Sequence, residues 1–312
     1  MPVRLPLVTE DASRVLLEAL IDYAGLFPPA GLTMPVAVRQ YAHYRAGGTG
    51  WMLGRFICPA AALEQFSTHA DPLLPRDAGA IPWRVSVTGS GDLGADLAAI
   101  AAFNERHRVC FDECSAVVDS LEVRADSEQA IRTIDAAVPR ELTVYLELPL
   151  AQASALMPVV ADTGRRAKMR TGGVVSEAFP AAEAVIAFLS ACIAAGVTAK
   201  ATAGLHHPVC GLYRLTYDEQ ATVGPMFGHL NLLVAAAWLL QGGDTASALA
   251  LLTERDATRF QITPEQVVWV GRDATQDFDR TLLHRLRTTL LAGVGSCSFT
   301  EPVDELRALQ WI

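Results

Sequence analysis

The chain has 312 residues, 51% of them hydrophobic, and a formal net charge of -9. That is ample material for a sizeable core, and the acidic balance argues against nucleic acid or an anionic membrane as partner, since both call for clustered Lys and Arg. No N-terminal stretch has the charged, apolar and small-residue order of a signal peptide, and the longest apolar run of note, residues 232–240, falls far short of the ~20 residues of a membrane span.

In chain order, residues 1–48 are helical in pattern, with a turn-forming stretch from Gly25 to Pro29. Asp22 and Tyr23 precede that turn and are expected to cap or plug a fold, or to touch substrate from a mouth loop. Residues 51–58 make a first strand that includes Arg55 and breaks at Pro59. In 83–88, Trp83, Val85 and Val87 alternate with Arg84, Ser86 and Thr88; in 121–125, Leu121, Val123 and Ala125 alternate with Glu122 and Arg124. In 142–148, Leu142, Val144, Leu146 and Leu148 alternate with Thr143, Tyr145 and Glu147. Helical patterns follow these strands at 92–106, 127–137 and 151–162.

Two further strands, 166–173 and 197–207, flank a helix over 181–195 that ends at Gly196, the residue type expected just past a helix C-terminus. Beyond them, 215–290 reads as a mostly helical insertion, within which 267–271 is either a short seventh strand or the end of a helix. Residues 230–240, apolar nearly all round, suit a core helix or a subunit contact in a homo-oligomer. Residues 294–299 make a last strand and 301–309 a closing helix.

Strands alternating with helices imply a parallel sheet covered by helices. An open doubly wound sheet would show continuous apolar strands. Here one strand face is apolar and the other polar, which suits a closed barrel with a wet mouth. The expected fold is therefore α/β, a (β/α)8 TIM-like barrel forming one domain over 1–312, with sites at the C-terminal strand ends.

Alternation points Lys168 and Lys200 into one lumen from neighbouring strands. Two crowded ammonium groups depress each other's pKa, one route to a nucleophilic amine. The same phase places Arg55, Arg124 and Arg170 inside against Glu122 and Glu147. A positive lumen in an acidic protein concentrates a small anion, such as a phosphorylated or carboxylated metabolite. The bland alternative is an internal ion-pair network that shapes the barrel and binds nothing.

The run Lys168-Met169-Arg170-Thr171-Gly172, a helix, then Lys200-Ala201-Thr202-Ala203-Gly204 resembles the paired lysine strands of deoxyribose-phosphate aldolase and related class I aldolase barrels. The resemblance covers residues 166–207 and extends to Gly295-Ser296-Cys297-Ser298, which is similar to the phosphate loops of such barrels. It implies that Lys168 forms a Schiff base and that Lys200 tunes its pKa. Met169, Arg170 and Ala203 depart from the family's pattern, and its catalytic aspartate has no evident counterpart. The whole chain also resembles an uncharacterised family of bacterial and plant proteins.

The first functional expectation is thus a lyase or isomerase acting on a small anionic carbonyl compound. Lys168, Lys200, Glu147, Glu122 and His206 would be its catalytic groups. Arg55, Arg124, Arg170, Thr202, Gly295, Ser296, Ser298 and Tyr23 would contact substrate, and no cofactor is required. A second is a metal-dependent barrel enzyme in which His206, His207 or His229 joins the carboxylates around a divalent ion. A third is a barrel that binds an anionic metabolite without turning it over. Cys58, Cys110, Cys114, Cys192, Cys210 and Cys297 have no disulfide-framework or zinc-site spacing and read as idle thiols of a cytoplasmic protein.

Overall fold

The computed structural model describes residues 10–77, 79–110, 113–272 and 274–312. Eight parallel strands close a barrel: β1 Ile21–Tyr23, β2 Leu53–Pro59, β3 Trp83–Thr88, β4 Ala116–Arg124, β5 Thr143–Glu147, β6 Arg166–Arg170, β7 Ala199–Thr202 and β8 Leu291–Ser296. Spatial order follows chain order, and β8 pairs with β1 to complete the ring. A helix follows each strand: α1 Met34–Ala46, α2 Leu63–Ala70, α3 Leu93–Arg106, α4 Glu128–Ala137, α5 Ala153–Thr163, α6 Ala182–Ala195, α7 His229–Leu240 and α8 Thr300–Ala308. The chain is a TIM barrel.

Local chemistry sets several element ends. Asp92 caps α3 by accepting from the Ala95 N–H at 3.0 Å, and Ser127 caps α4 by accepting from the Ala130 N–H at 3.3 Å. Gly196 ends α6 with φ 67°, a left-handed conformation that suits a residue without Cβ. Residues Ser176–Ala195 have a mean hydropathy of 1.9 and are long and apolar enough to cross a membrane, a longer candidate than 232–240. Here Val185, Ile186, Phe188, Leu189 and Cys192 of α6 are buried in the core.

Three sequence expectations need correction. The first strand is Ile21–Tyr23, inside the N-terminal segment read as helical; residues 1–9 of that segment lie outside the described residues. Residues 215–290 are less helical than expected. They carry one strand of the hairpin Gly211–Arg214/Val223–Met226 and a three-stranded antiparallel sheet, Phe260–Ile262, Gln266–Val270 and Thr275–Asp279. The 267–271 candidate is the middle strand of that sheet and lies outside the barrel. In α7, His229 to Ala237 are buried within the protomer, which makes that segment a core helix.

Candidate active site

Register partners in a parallel sheet share a face, and the pairing runs Arg124↔Glu147, Glu147↔Lys168 and Lys168↔Lys200 across β4 to β7. The alternation that predicted inward lysines is therefore correct. What surrounds them is more acidic than expected. Lys168 Nζ lies 2.8 Å from Glu122 Oε2 and 2.8 Å from Glu147 Oε2. Lys200 Nζ lies 2.8 Å from Glu122 Oε1 and 2.5 Å from Asp22 Oδ2. Glu122 Oε1 also accepts from Ser86 Oγ at 2.9 Å.

This arrangement reverses the electrostatic expectation for Lys200. Burial alone would lower its pKa, but the Asp22 and Glu122 carboxylates outweigh burial and hold it well above the ordinary lysine range. Burial would likewise raise Glu122, yet Lys168 and Lys200 hold it well below the ordinary carboxylate range. Lys200 is thus a charged structural partner. Its two acceptors explain why an ammonium is tolerated in the barrel interior.

Asp22 is the acid that alternation missed, because three residues of β1 are too few to show a period. It is buried, and its Oδ1 accepts the Arg55 N–H at 2.7 Å. A Cβ at Gly54 would come within 2.3 Å of that same oxygen, so the glycine on β2 makes room for the carboxylate. Tyr23, one residue on, takes the opposite phase. It is buried against α1, where its hydroxyl donates to Gln40 Oε1 at 2.6 Å, and it does not line the mouth.

A cavity of about 270 Å³ opens at the C-terminal end of the barrel. Lys168, Glu122, Arg170, Thr202, His206 and Gly295 line it, as do Phe27, Pro28, Pro29 and Cys297. Arg170 is exposed at the rim and has no acidic partner among the described residues. Ala203, in the turn after β7, adopts φ 67°, a region that favours glycine. Gly172 and Gly204 bring two mouth loops together: a Cβ at Gly172 would lie 3.0 Å from the Gly204 Cα and 2.5 Å from the Phe179 ring.

Other expected contacts fall elsewhere. Arg55 Nε is bound by Asp119 Oδ1 at 2.6 Å, with Arg84 on the other carboxylate oxygen. Asp119 sits where the β3–β4 register shifts, early in its strand, so the trio belongs to the N-terminal half of the barrel. Arg124 is 86% exposed, with Glu147 Oε1 at 3.5 Å, and borders a neighbouring cleft shared with Glu147 and Arg170. Ser296 and Ser298 do not line the cavity: Ser296 Oγ is 3.1 Å from His206 Nδ1, and Ser298 Oγ accepts the Glu301 N–H at 3.2 Å. The two serine side chains therefore organise the end of β8 and the start of α8.

The three histidines do not converge. His206 is in the cavity wall and its pKa is pushed down to about 4 by burial, with His207 adding to the effect. His207 bonds Glu305 Oε1 at 2.6 Å and stacks on Tyr213 at 3.4 Å. His229 is fully buried at the start of α7, with its pKa pushed down to about 3. Among the described residues no three His, Cys, Asp or Glu side chains gather as metal ligands.

No family model matches the chain, and no curated protein does. Among solved structures it is similar to the tetrameric deoxyribose phosphate aldolase from Aeropyrum pernix, with 16% identity and a TM-score of 0.43, covering 65% of this chain and 87% of that chain.

Proposed function

We propose that this barrel is a lyase or isomerase acting on a small anionic carbonyl compound, with Lys168 as the group that engages the carbonyl. One observation carries the reading. Lys168 lies at the cavity, between Glu122 and Glu147 at 2.8 Å each, while Arg170 at the rim has no acidic partner among the described residues. Lys168 differs from Lys200 in lining the cavity, so an entering carbonyl compound can reach its Nζ, and Glu147 at 2.8 Å is close enough to exchange a proton with it.

In this reading Arg170 binds the substrate's anionic end, and Thr202 and the Pro28–Pro29 turn bound its body. Glu147 takes a proton from Lys168, whose free amine then attacks the carbonyl carbon to form an imine. The same carboxylate can return the proton to the hydroxyl that leaves as water. Withdrawal of electrons by the imine then favours cleavage or proton transfer at the neighbouring carbon. Lys200 and Asp22 hold Glu122 in place beneath the reacting amine.

Borohydride reduction with a panel of small aldehydes and oxo acids tests this directly. The expected result is a stable mass adduct mapped to Lys168, formed only when a carbonyl compound and reductant are both present. A panel that leaves Lys168 unmodified while a member still stabilises the protein thermally would favour the non-catalytic binding reading.

A further inference from the structure

The N-terminal half of the barrel lumen, beneath the Lys168 layer, holds a second set of charges that the proposed chemistry does not use. Tyr145 and Arg166 are register partners that stand two residues before Glu147 and Lys168, so both point inward. Arg166 Nη1 donates to the Tyr145 hydroxyl at 3.0 Å. Arg84 stands two residues before Ser86, whose hydroxyl reaches Glu122, and takes the same inward phase. Arg84 Nε and Arg55 Nε hold the two oxygens of Asp119, at 2.7 Å and 2.6 Å. Arg287 enters from the helical segment before β8 and donates to the Leu291 and Glu18 carbonyls at 2.9 Å each. Leu291 begins β8 and Glu18 just precedes β1, so this guanidinium also sits at the lower mouth.

Tyr145 ties the four arginines together: bonded to Arg166, it also lies within electrostatic reach of Arg55 and Arg287. The carboxylates near them are already engaged. Arg55 and Arg84 share Asp119, Asp22 is held by Lys200 and the Arg55 N–H, and the Glu18 side chain pairs with Arg14 at 3.0 Å. Among the described residues neither Arg166 nor Arg287 has a carboxylate partner. Arg287 Nε is buried and has no hydrogen-bond partner. Burial pushes Arg287 down to about 10, and the opposing pull of Asp22, Tyr145 and Glu18 does not offset it. A cation removed from water without an opposite charge is unfavourable, and an anion brought to it relieves that. The mouth is open to solutes, since Arg84 is 47% and Asp119 24% exposed.

We propose that the N-terminal mouth of the barrel is a binding site for a small dianionic oxyanion, a phosphate or a dicarboxylate, held by Arg166, Arg287 and the Arg55–Asp119–Arg84 trio. Planar guanidinium forks present paired donors that match two oxygens of such an ion. Asp119 orients two of the forks, and the positive charge it leaves over is neutralised more fully by a dianion than by a monoanion. The site lies at the opposite end of the lumen from Lys168 and Arg170. It is independent of imine formation and of the substrate proposed above.

Thermal unfolding of the full chain in inorganic phosphate, malonate or chloride at equal ionic strength tests this, with isothermal titration for the affinity. The measurements use the Arg170→Gln chain, which lacks the anion-binding group of the upper mouth. At ~10 mM, phosphate or malonate should raise Tm by about 2 °C or more over chloride. Adding Arg166→Gln or Arg84→Gln should weaken that binding about tenfold. Equal stabilisation by chloride overturns the proposal, as does an affinity that neither substitution changes. Arg84 is the more exposed of the two, so its variant decides the matter where Arg166→Gln fails to fold. Borohydride trapping is scored separately: a trapped Lys168 without dianion binding overturns this inference alone, and the converse overturns only the imine.

Discussion

Lys168 and Lys200 share one carboxylate: Glu122 Oε2 accepts from the first at 2.8 Å and Oε1 from the second at 2.8 Å. The bridge converts two like charges on adjacent strands from a repulsive pair into an alternating network with Asp22 and Glu147. It also divides the labour. Lys168 reaches the cavity, whereas Lys200 lies outside its lining and is 1% exposed.

Lys200→Met should therefore act first on stability. Removing the ammonium leaves Asp22 and Glu122 facing each other in the interior, and breaking a buried pair from one side costs about 3–5 kcal/mol. Urea denaturation measures this. A loss below about 1 kcal/mol, together with abolished trapping at Lys168, would restore a chemical role to Lys200.

The pH dependence follows from the two displaced groups. Glu122 is depressed below its ordinary 4.5, so it stabilises the fold above that pH and the contribution is lost as pH falls toward its folded value. Lys200 is raised above its ordinary 10.5, so its contribution is complete below that pH and is lost only as pH rises through its folded value. Urea midpoints should form a plateau through neutrality. In Glu122→Gln the acid limb should be shallower than in the wild-type chain; an unchanged acid limb would place the acid-sensitive group elsewhere.

Gly54→Ala tests the seat of Asp22. The added methyl would meet Asp22 Oδ1 at 2.3 Å and the Ala19 carbonyl oxygen at 3.2 Å. Overpacking of this kind costs about 1–3 kcal/mol, and here it would also displace a Lys200 partner. Thermal or urea unfolding should show the loss, and a neutral result would mean that Asp22 relaxes without cost.

Arg170→Gln should leave stability within about 0.5 kcal/mol, because the side chain is exposed and has no acidic partner among the described residues. Half-saturation by any oxo acid that traps on Lys168 should rise about tenfold, the equivalent of ~1.4 kcal/mol in binding. An equal loss for a neutral aldehyde would show that Arg170 shapes the mouth without reading charge.

Glu147→Gln should slow trapping at Lys168 more at neutral than at alkaline pH, since solution base replaces the lost acceptor as pH rises. Its neutral amide keeps the bulk beside Lys168. A loss of trapping that is uniform with pH would assign Glu147 to positioning.

Much of the barrel was legible from local pattern. Period-two alternation located β3 to β7 and turned Lys168 and Lys200 inward, because phase along a strand is a property of consecutive residues alone. Helix ends at Asp92, Ser127 and Gly196 were equally local. Depth along the barrel axis was not, since it depends on how neighbouring strands are staggered. Arg55 and Arg124 had the inward phase yet lie away from the cavity, one bound by Asp119 in the N-terminal half and the other on the rim. Asp22 was hidden in a three-residue strand whose pairing with β8 joins residues far apart in the chain. The sequence by itself determined which faces meet. Only closure of the ring decided which charges touch, and so made Lys200 a buried ion-pair partner and left Lys168 at the mouth.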